Sequence, residues 1–174
     1  MAADIKVKYP ASNADTTSLT ITLASLATSS TLLVGVESAA VDNRTNQDLD
    51  HLITGKITTG TSPTVSTKIE IWVYAPISIT SGTPTYPDTL DGTNSAETLT
   101  SDNVKFSALR LAWSITVDNT TDRTYYIPPT SVANLFGSMP PFWGVFVTHN
   151  TAVNLNSTGG NQDISYIRVQ AQTV

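Results

Sequence analysis

The chain has 174 residues, 40% of them hydrophobic and only 13% charged, with a net charge of −5 at pH 7. That length suits one domain, residues 1–174, with a full core and a few long loops or arms. The acidic balance, with no basic cluster beyond the Lys6 and Lys8 pair, excludes a phosphate backbone as partner; the lack of cysteine excludes disulfides and thiolate sites; and no apolar stretch approaches the 18 residues of a membrane span.

In chain order, MAADIKVKYP lacks the apolar run of a signal peptide, so synthesis and folding in a cytoplasm are expected. Residues 1–10 read as an extended arm, with Ile5 and Val7 on one side, Lys6 and Lys8 on the other, Tyr9 following and Pro10 ending the run. TSLTITLAS and STLLVGVESAAV alternate with period two, pointing Leu19, Ile21 and Leu23, then Leu32, Val34 and Val36, to one face. HLITGKITTG sets Ile53 and Ile57 against Thr54, Lys56 and Thr58, with Gly55 marking a bulge or a close backbone approach. TKIEIWVYAP places Ile69, Ile71 and Val73 opposite Glu70, Trp72 and Tyr74, and Pro76 closes it. Residues 77–104, which include Tyr86, form a long loop. SALRLAWSITVDN points Leu109, Leu111, Trp113, Ile115 and Val117 inward, and TYYIPP, FWGVFVTHN and DISYIRVQAQT add three more strands. PPTSVANLFG predicts one short helix, capped near Pro129 and Thr130 and ended by Gly137. About eight strands without alternating helices, rich in β-branched Thr, predict an all-β jelly-roll sandwich.

Two patterns invite a chemical reading. VDNRTNQDLDH surrounds His51 with Asp42, Asp48 and Asp50, but Asp50 is adjacent and points to the opposite sheet face, while Asp42 and Asp48 lie in a turn whose Asn and Asp residues bond their own backbone. No nucleophile or metal-ligand spacing accompanies them, so the cluster reads as the polar rim of a strand. PDTLDGTNSAE resembles a calcium loop, yet Glu97 follows Gly92 by five residues where six are needed, so it reads as a polar turn. No catalytic residue, metal or cofactor is expected. Trp72 and Tyr74 make both faces of their strand apolar: either the fold covers both, or the second face meets another chain or a sugar.

The run DHLITGKITTGTSPTVSTKIEIWVYA, with YPDTLDGTNSAET, SALRLAWSITVD, TYYIPPTSVANLFG and PPFWGVFVTHNTAVNLN, resembles the capsid decoration, or cement, proteins of tailed bacteriophages. The resemblance is one of strand and loop pattern over nearly the whole chain. It implies a non-enzymatic virion protein on the capsid exterior, whose partners are the major capsid protein and further copies of itself as a dimer or trimer. The contact residues it puts forward are Ile5, Lys6, Val7, Lys8, Tyr9, Trp72, Tyr74 and Tyr86. The alternative implied by exposed rings is a carbohydrate-binding or receptor-binding β-sandwich module of a virion.

Overall fold

Ile69, Ile71, Trp72, Val73 and Tyr74 run consecutively or alternately through one strand, β-branched and aromatic side chains that pack well on both sides of a pleat. In the computed structural model, which describes residues 5–9 and 16–173, this strand lies in the second of two curled antiparallel sheets. The first sheet holds β1 (Ile5–Lys8), β2 (Thr16–Ser18), β5 (Asp50–Thr58), β11 (Thr124–Ser131) and β13 (Asp163–Thr173), in the order β1-β13-β5-β11 with β2 also on β13. The second holds β3 (Val34–Glu37), β4 (Val41–Asp42), β6 (Lys68–Tyr74), β9 (Ser95–Thr98), β10 (Arg110–Thr116) and β12 (Phe142–His149), in the order β10-β6-β12-β3-β9 with β4 on β12. A separate hairpin joins β7 (Ser78–Thr80) to β8 (Thr83–Thr85), and the described residues hold two α-helices, α1 (Asp102–Ala108) and α2 (Val132–Phe136).

The main core lies between the sheets. Ile53 and Ile57 of β5, Ile127 of β11 and Ile164 of β13 meet Ile69, Ile71 and Val73 of β6 and Val145 and Val147 of β12. Gly55 is a point of close approach, since a Cβ there would stand 2.1 Å from the Asp163 carbonyl oxygen of β13. A second apolar layer covers the opposite face of β6 and β12, where Trp72, Tyr74, Phe142 and Phe146 pack with Tyr86, Leu90, Leu99 and Leu109. Aromatic rings fit there because part of the sheet beneath them has no side chain: a Cβ on Gly144 would lie 2.4 Å from the Tyr74 ring.

Several expectations are corrected. Among the described residues there are thirteen strands rather than about eight, because β2, β4, β7, β8 and β9 have two to four residues each, too few to show alternation. The expected long loop 77–104 is not one loop; it contains β7, β8, β9 and the first turn of α1. Residues 19–33 carry the expected buried Leu19 and Leu23, but form no ladder, and Val34 is 44% exposed. In β10 the register shifts between Leu111 and Trp113, so Leu111 pairs with Trp72 while Trp113 pairs with Ile71. The bulge reverses the facing of the residues after it, so Leu111 stays on the outer face with Trp72 while Trp113, Ile115 and Val117 turn toward the main core. The helix α2 starts later than expected, with Ser131 as its cap accepting from the Asn134 N–H, and Pro128 and Pro129 remain in the edge strand β11 where its register is irregular. Gly137 ends it in the left-handed conformation, φ 81°.

Candidate functional site

The cluster around His51 is a closed hydrogen-bond network that ties the two sheets together. Trp143 of β12 donates its indole N–H to His51 Nδ1 at 2.8 Å, and His51 Nε2 lies 2.9 Å from Asp48 Oδ2. An indole nitrogen only donates, so Nδ1 is the bare nitrogen and Nε2 carries the proton toward the carboxylate. Asp48 also accepts from Arg168 Nε at 2.7 Å, Arg168 Nη2 at 3.0 Å and Gln170 Nε2 at 2.9 Å, all from β13. Burial alone would raise the Asp48 carboxyl, but these hydrogen bonds, led by Arg168, outweigh it and hold it at about 2. Burial lowers His51, with the Asp48 carboxylate opposing. Protonation would aim a new Nδ1–H at the indole N–H. His51, 1% exposed with both nitrogens engaged, is thus a sheet-to-sheet tie with no nitrogen open to a substrate.

The neighbouring acids are accounted for in the same way. Asp50 does not bond the His51 ring: its Oδ1 accepts the His51 backbone N–H and the Ala133 N–H, both at 2.8 Å, the latter in the first turn of α2. Asp42 pairs with Arg44 on the surface. His149 does not join His51: its Nε2 faces the Leu26 carbonyl at 3.0 Å and its Nδ1 the Thr151 hydroxyl at 2.9 Å. Among the described residues no group of three or more His, Cys, Asp or Glu is arranged to hold a metal ion.

The calcium-like loop has the opposite polarity to a cation site. It directs the backbone N–H groups of Asp91 and Gly92 onto the buried Glu37 carboxylate at 2.9 and 3.2 Å. Asp91 turns to its own loop, accepting from the Thr93 N–H and hydroxyl. Gly92 sits at φ +79°, and a Cβ there would meet the Tyr86 ring at 2.5 Å, so this turn needs glycine on both counts. Burial raises the Glu37 carboxyl, opposed by the loop N–H groups.

The aromatic contact residues divide. Trp72, Tyr74 and Tyr86 are 4%, 0% and 8% exposed, so their expected role as a contact surface or sugar platform is corrected: segments 77–104 and α1 cover that face from within the chain. The Tyr74 hydroxyl donates to the Ser38 carbonyl at 2.9 Å, and Tyr86 meets the Tyr74 ring edge-on at 5.3 Å. Trp72 donates to Glu70 Oε2, which also receives the buried Lys105 ammonium at 3.3 Å. Lys105 lies 5.4 Å from the Trp72 ring and 5.2 Å from that of Phe106.

The other five form a different object. Strand β1 pairs with the last part of β13, from Ile5 opposite Thr173 to Lys8 opposite Gln170. Strand β5 reaches only to the Asp50–Val169 pair, so among the described residues, residues 170–173 have β1 as their one strand neighbour. A two-stranded ribbon thus runs past the end of the sheet. Ile5, Val7 and Tyr9 are 76%, 59% and 64% exposed, and Lys6 and Lys8 are exposed with no ion pair among the described residues. Residues 1–4 and 10 of the expected arm lie outside the described residues.

Two concavities on the surface are open grooves, not enclosed pockets. One, of about 310 Å³, is a polar surface groove that includes Gly60, Asp122 and Asn156; the other, of about 240 Å³, runs between β2 and β4. No family model, no curated protein and no solved structure matches this chain. Among the described residues no helix is long and apolar enough to cross a membrane.

Sequence reading found the extended run Ile5–Lys8 but not its pairing with β13, and it missed two exposed apolar residues, Phe106 of α1 (60% exposed) and Leu111 of β10 (42%). For Leu111 the signal was hidden by the bulge, and for Phe106 by a helix that buries its lysine and exposes its phenylalanine.

Proposed function

We propose that this chain is a structural virion protein of jelly-roll type, made in a host bacterial cytoplasm, that binds the exterior of a phage capsid and stabilises it by bridging neighbouring major capsid proteins. The observation that carries the reading is the terminal ribbon. Two strands alone are at best marginally stable in water, and this pair exposes Ile5, Val7 and Tyr9 without burying them on its own body. A strand with a free edge gains main-chain hydrogen bonds when it joins a neighbouring sheet, with little demand on sequence. Its base is fixed to the body, because Gln170, the first ribbon residue of β13, bonds to Asp48 of the sheet-to-sheet network. Pull on the ribbon would therefore be carried into both sheets.

The function requires no reaction. Many identical weak contacts across a shell add up by avidity, and whatever binds the assembled shell in preference to its dissociated parts stabilises it. The test is to mix the protein with DNA-filled heads that lack it, then to measure co-sedimentation and the temperature of DNA release, with the full chain and with residues 1–9 removed. Binding that raises the release temperature and fails without the ribbon is the expected result. Full-length protein that leaves heads unbound and their release temperature unchanged overturns the reading.

A further inference from the structure

The groove between β2 and β4 is backed by the His51 network. Tyr166 lines that groove and lies against the His51 ring, centroids 4.5 Å apart, and edge-on to Trp143 at 5.4 Å. Val41, which also lines the groove, is paired with Trp143 in the β4–β12 ladder. Strand β2 belongs to the first sheet and β4 to the second, so the groove is a seam. A main-chain bond from the Ala39 N–H to the Thr20 carbonyl, 2.8 Å, crosses it, and the Trp143–His51 bond crosses behind it.

The two bonds of the His51 ring respond differently to a proton. Neutral His51 directs its Nε2–H at Asp48 and accepts the indole N–H at Nδ1. A proton on Nδ1 makes the first bond charge-assisted and leaves the second with two donors facing each other. The charged groups that bear on the ring are Asp48 from the turn before β5, Asp50 in β5 and Arg168 from β13; β13 also presents the Tyr166 ring, and β12 the uncharged Trp143. Asp48, held at about 2, stays ionised in mild acid and keeps the protonated ring bonded to the first-sheet side of the network. Trp143 is therefore the partner that lets go.

We infer that His51 is an acid-operated latch on this seam: a proton at Nδ1 frees Trp143 and lets β4 move off β2, opening the groove between them. Burial disfavours the charged ring in the closed form, so the open form binds the proton more readily. Opening therefore rises as the pH falls below about 6.5, by at most about tenfold per pH unit for a single proton. The inference stands on the network alone and is independent of the capsid reading.

The test is hydrogen exchange followed by NMR on the full chain, from about pH 7.5 to about pH 5, each rate taken relative to an unstructured reference at the same pH. Protection of the Trp143 indole N–H and of the Ala39 amide is expected to fall by about tenfold per pH unit in the lower part of that range. The amides of Ile71 and Val147, paired in the β6–β12 ladder, are expected to keep theirs. His51→Gln retains an amide oxygen for the indole and has no proton to gain, so its Trp143 protection is expected to be flat with pH. Circular dichroism checks that this variant is folded. In the unaltered protein, without any variant, the His51 ring and the Trp143 indole signal are expected to titrate at the same pH. An indole that keeps its protection while the His51 ring titrates overturns the inference, as does a His51→Gln chain with the parent's pH dependence. Equal losses at Trp143 and Ile71 overturn it too, since acid would then be unfolding the whole chain.

Discussion

Strands β6 and β1 both alternate apolar and polar or aromatic side chains, yet one is buried on both faces and the other on neither. From Ile69 to Tyr74 every residue of β6 is buried, whereas every residue of β1 is exposed. The difference does not lie in the strands but in what lies over them. The face of β6 that carries Glu70, Trp72 and Tyr74 is roofed by α1 and by the segment from Tyr86 to Leu99, while among the described residues β1 has only the end of β13 beside it. Among the described residues nothing covers the apolar face of β1, and under the proposed function a partner would cover it.

The comparison breaks most severely at Glu70. Its carboxylate holds the Trp72 indole and the Lys105 ammonium, both groups buried under α1. Glu70→Ala leaves the Lys105 ammonium with only the exposed Asp102 carboxylate and the Leu32 carbonyl, and the Trp72 indole N–H without its acceptor, and is expected to cost about 3 kcal/mol, the low end of the usual penalty for removing one partner of a buried pair. Urea denaturation of the two proteins measures it. A loss below about 1 kcal/mol would mean that Asp102 and the Leu32 carbonyl suffice for Lys105.

That roof shows what was legible in the sequence. The two-faced apolar character of β6 could be read directly from IEIWVY, and the extended strand β1 from IKVKY, since each needs only period-two alternation, but the pairing of β1 with β13 at the far end of the chain could not. Helix α1 could not be read, because it reverses the ordinary amphipathic pattern: Lys105 is its buried residue, neutralised by Glu70, and Phe106 faces solvent. Likewise SALRLAWSITV alternates without a break, and nothing local announces that one extra residue at Ala112 leaves Leu111 on the outer face. The closed His51 network was half visible. Its Asp48–His51 spacing lies within ten residues, but Trp143 and Arg168 come from about 90 and 120 residues away, so only the folded chain reveals that both ring nitrogens are taken.

Acid is expected to act where body and ribbon meet. Asp48 has a folded pKa of about 2, below its unfolded value, so its stabilising contribution is full above about pH 4 and is lost as pH falls toward 2, amounting to about 2–3 kcal/mol. His51 is also depressed when folded, below its ordinary 6.5, so the unfolded chain takes up that proton first and stability begins to fall below about pH 6.5. Glu37, raised by burial, works in the opposite sense and favours the folded state in acid. The melting temperature should therefore decline in two stages as pH is lowered. Asp48→Asn should flatten the lower stage, and an unchanged profile in that variant would remove Asp48 from the account.

A third change sharpens the comparison at the level of the sheet itself. Gly144→Ala places a methyl group 2.4 Å from the Tyr74 ring, in the layer that also holds Phe146 and Tyr86. Overpacking of this kind costs about 1–3 kcal/mol. Circular dichroism in the near ultraviolet should also change, since Tyr74 and Tyr86 are held edge-on to one another. A variant as stable as the parent would mean that the outer layer yields where the inner core does not.

The smallest effect is expected in the ribbon. Replacing Ile5 and Val7 by Ser removes two β-branched aliphatic residues, a change that would be ruinous at Ile69 and Ile71. In β1 those side chains are already in water, so the free energy of unfolding of the isolated chain should stay within about 0.5 kcal/mol of the parent. Attachment to heads should nevertheless be lost, because the area those residues would bury exists only in the complex. A large loss of stability in the isolated chain would show that Ile5 and Val7 already have a roof of their own, and the contrast with β6 would disappear.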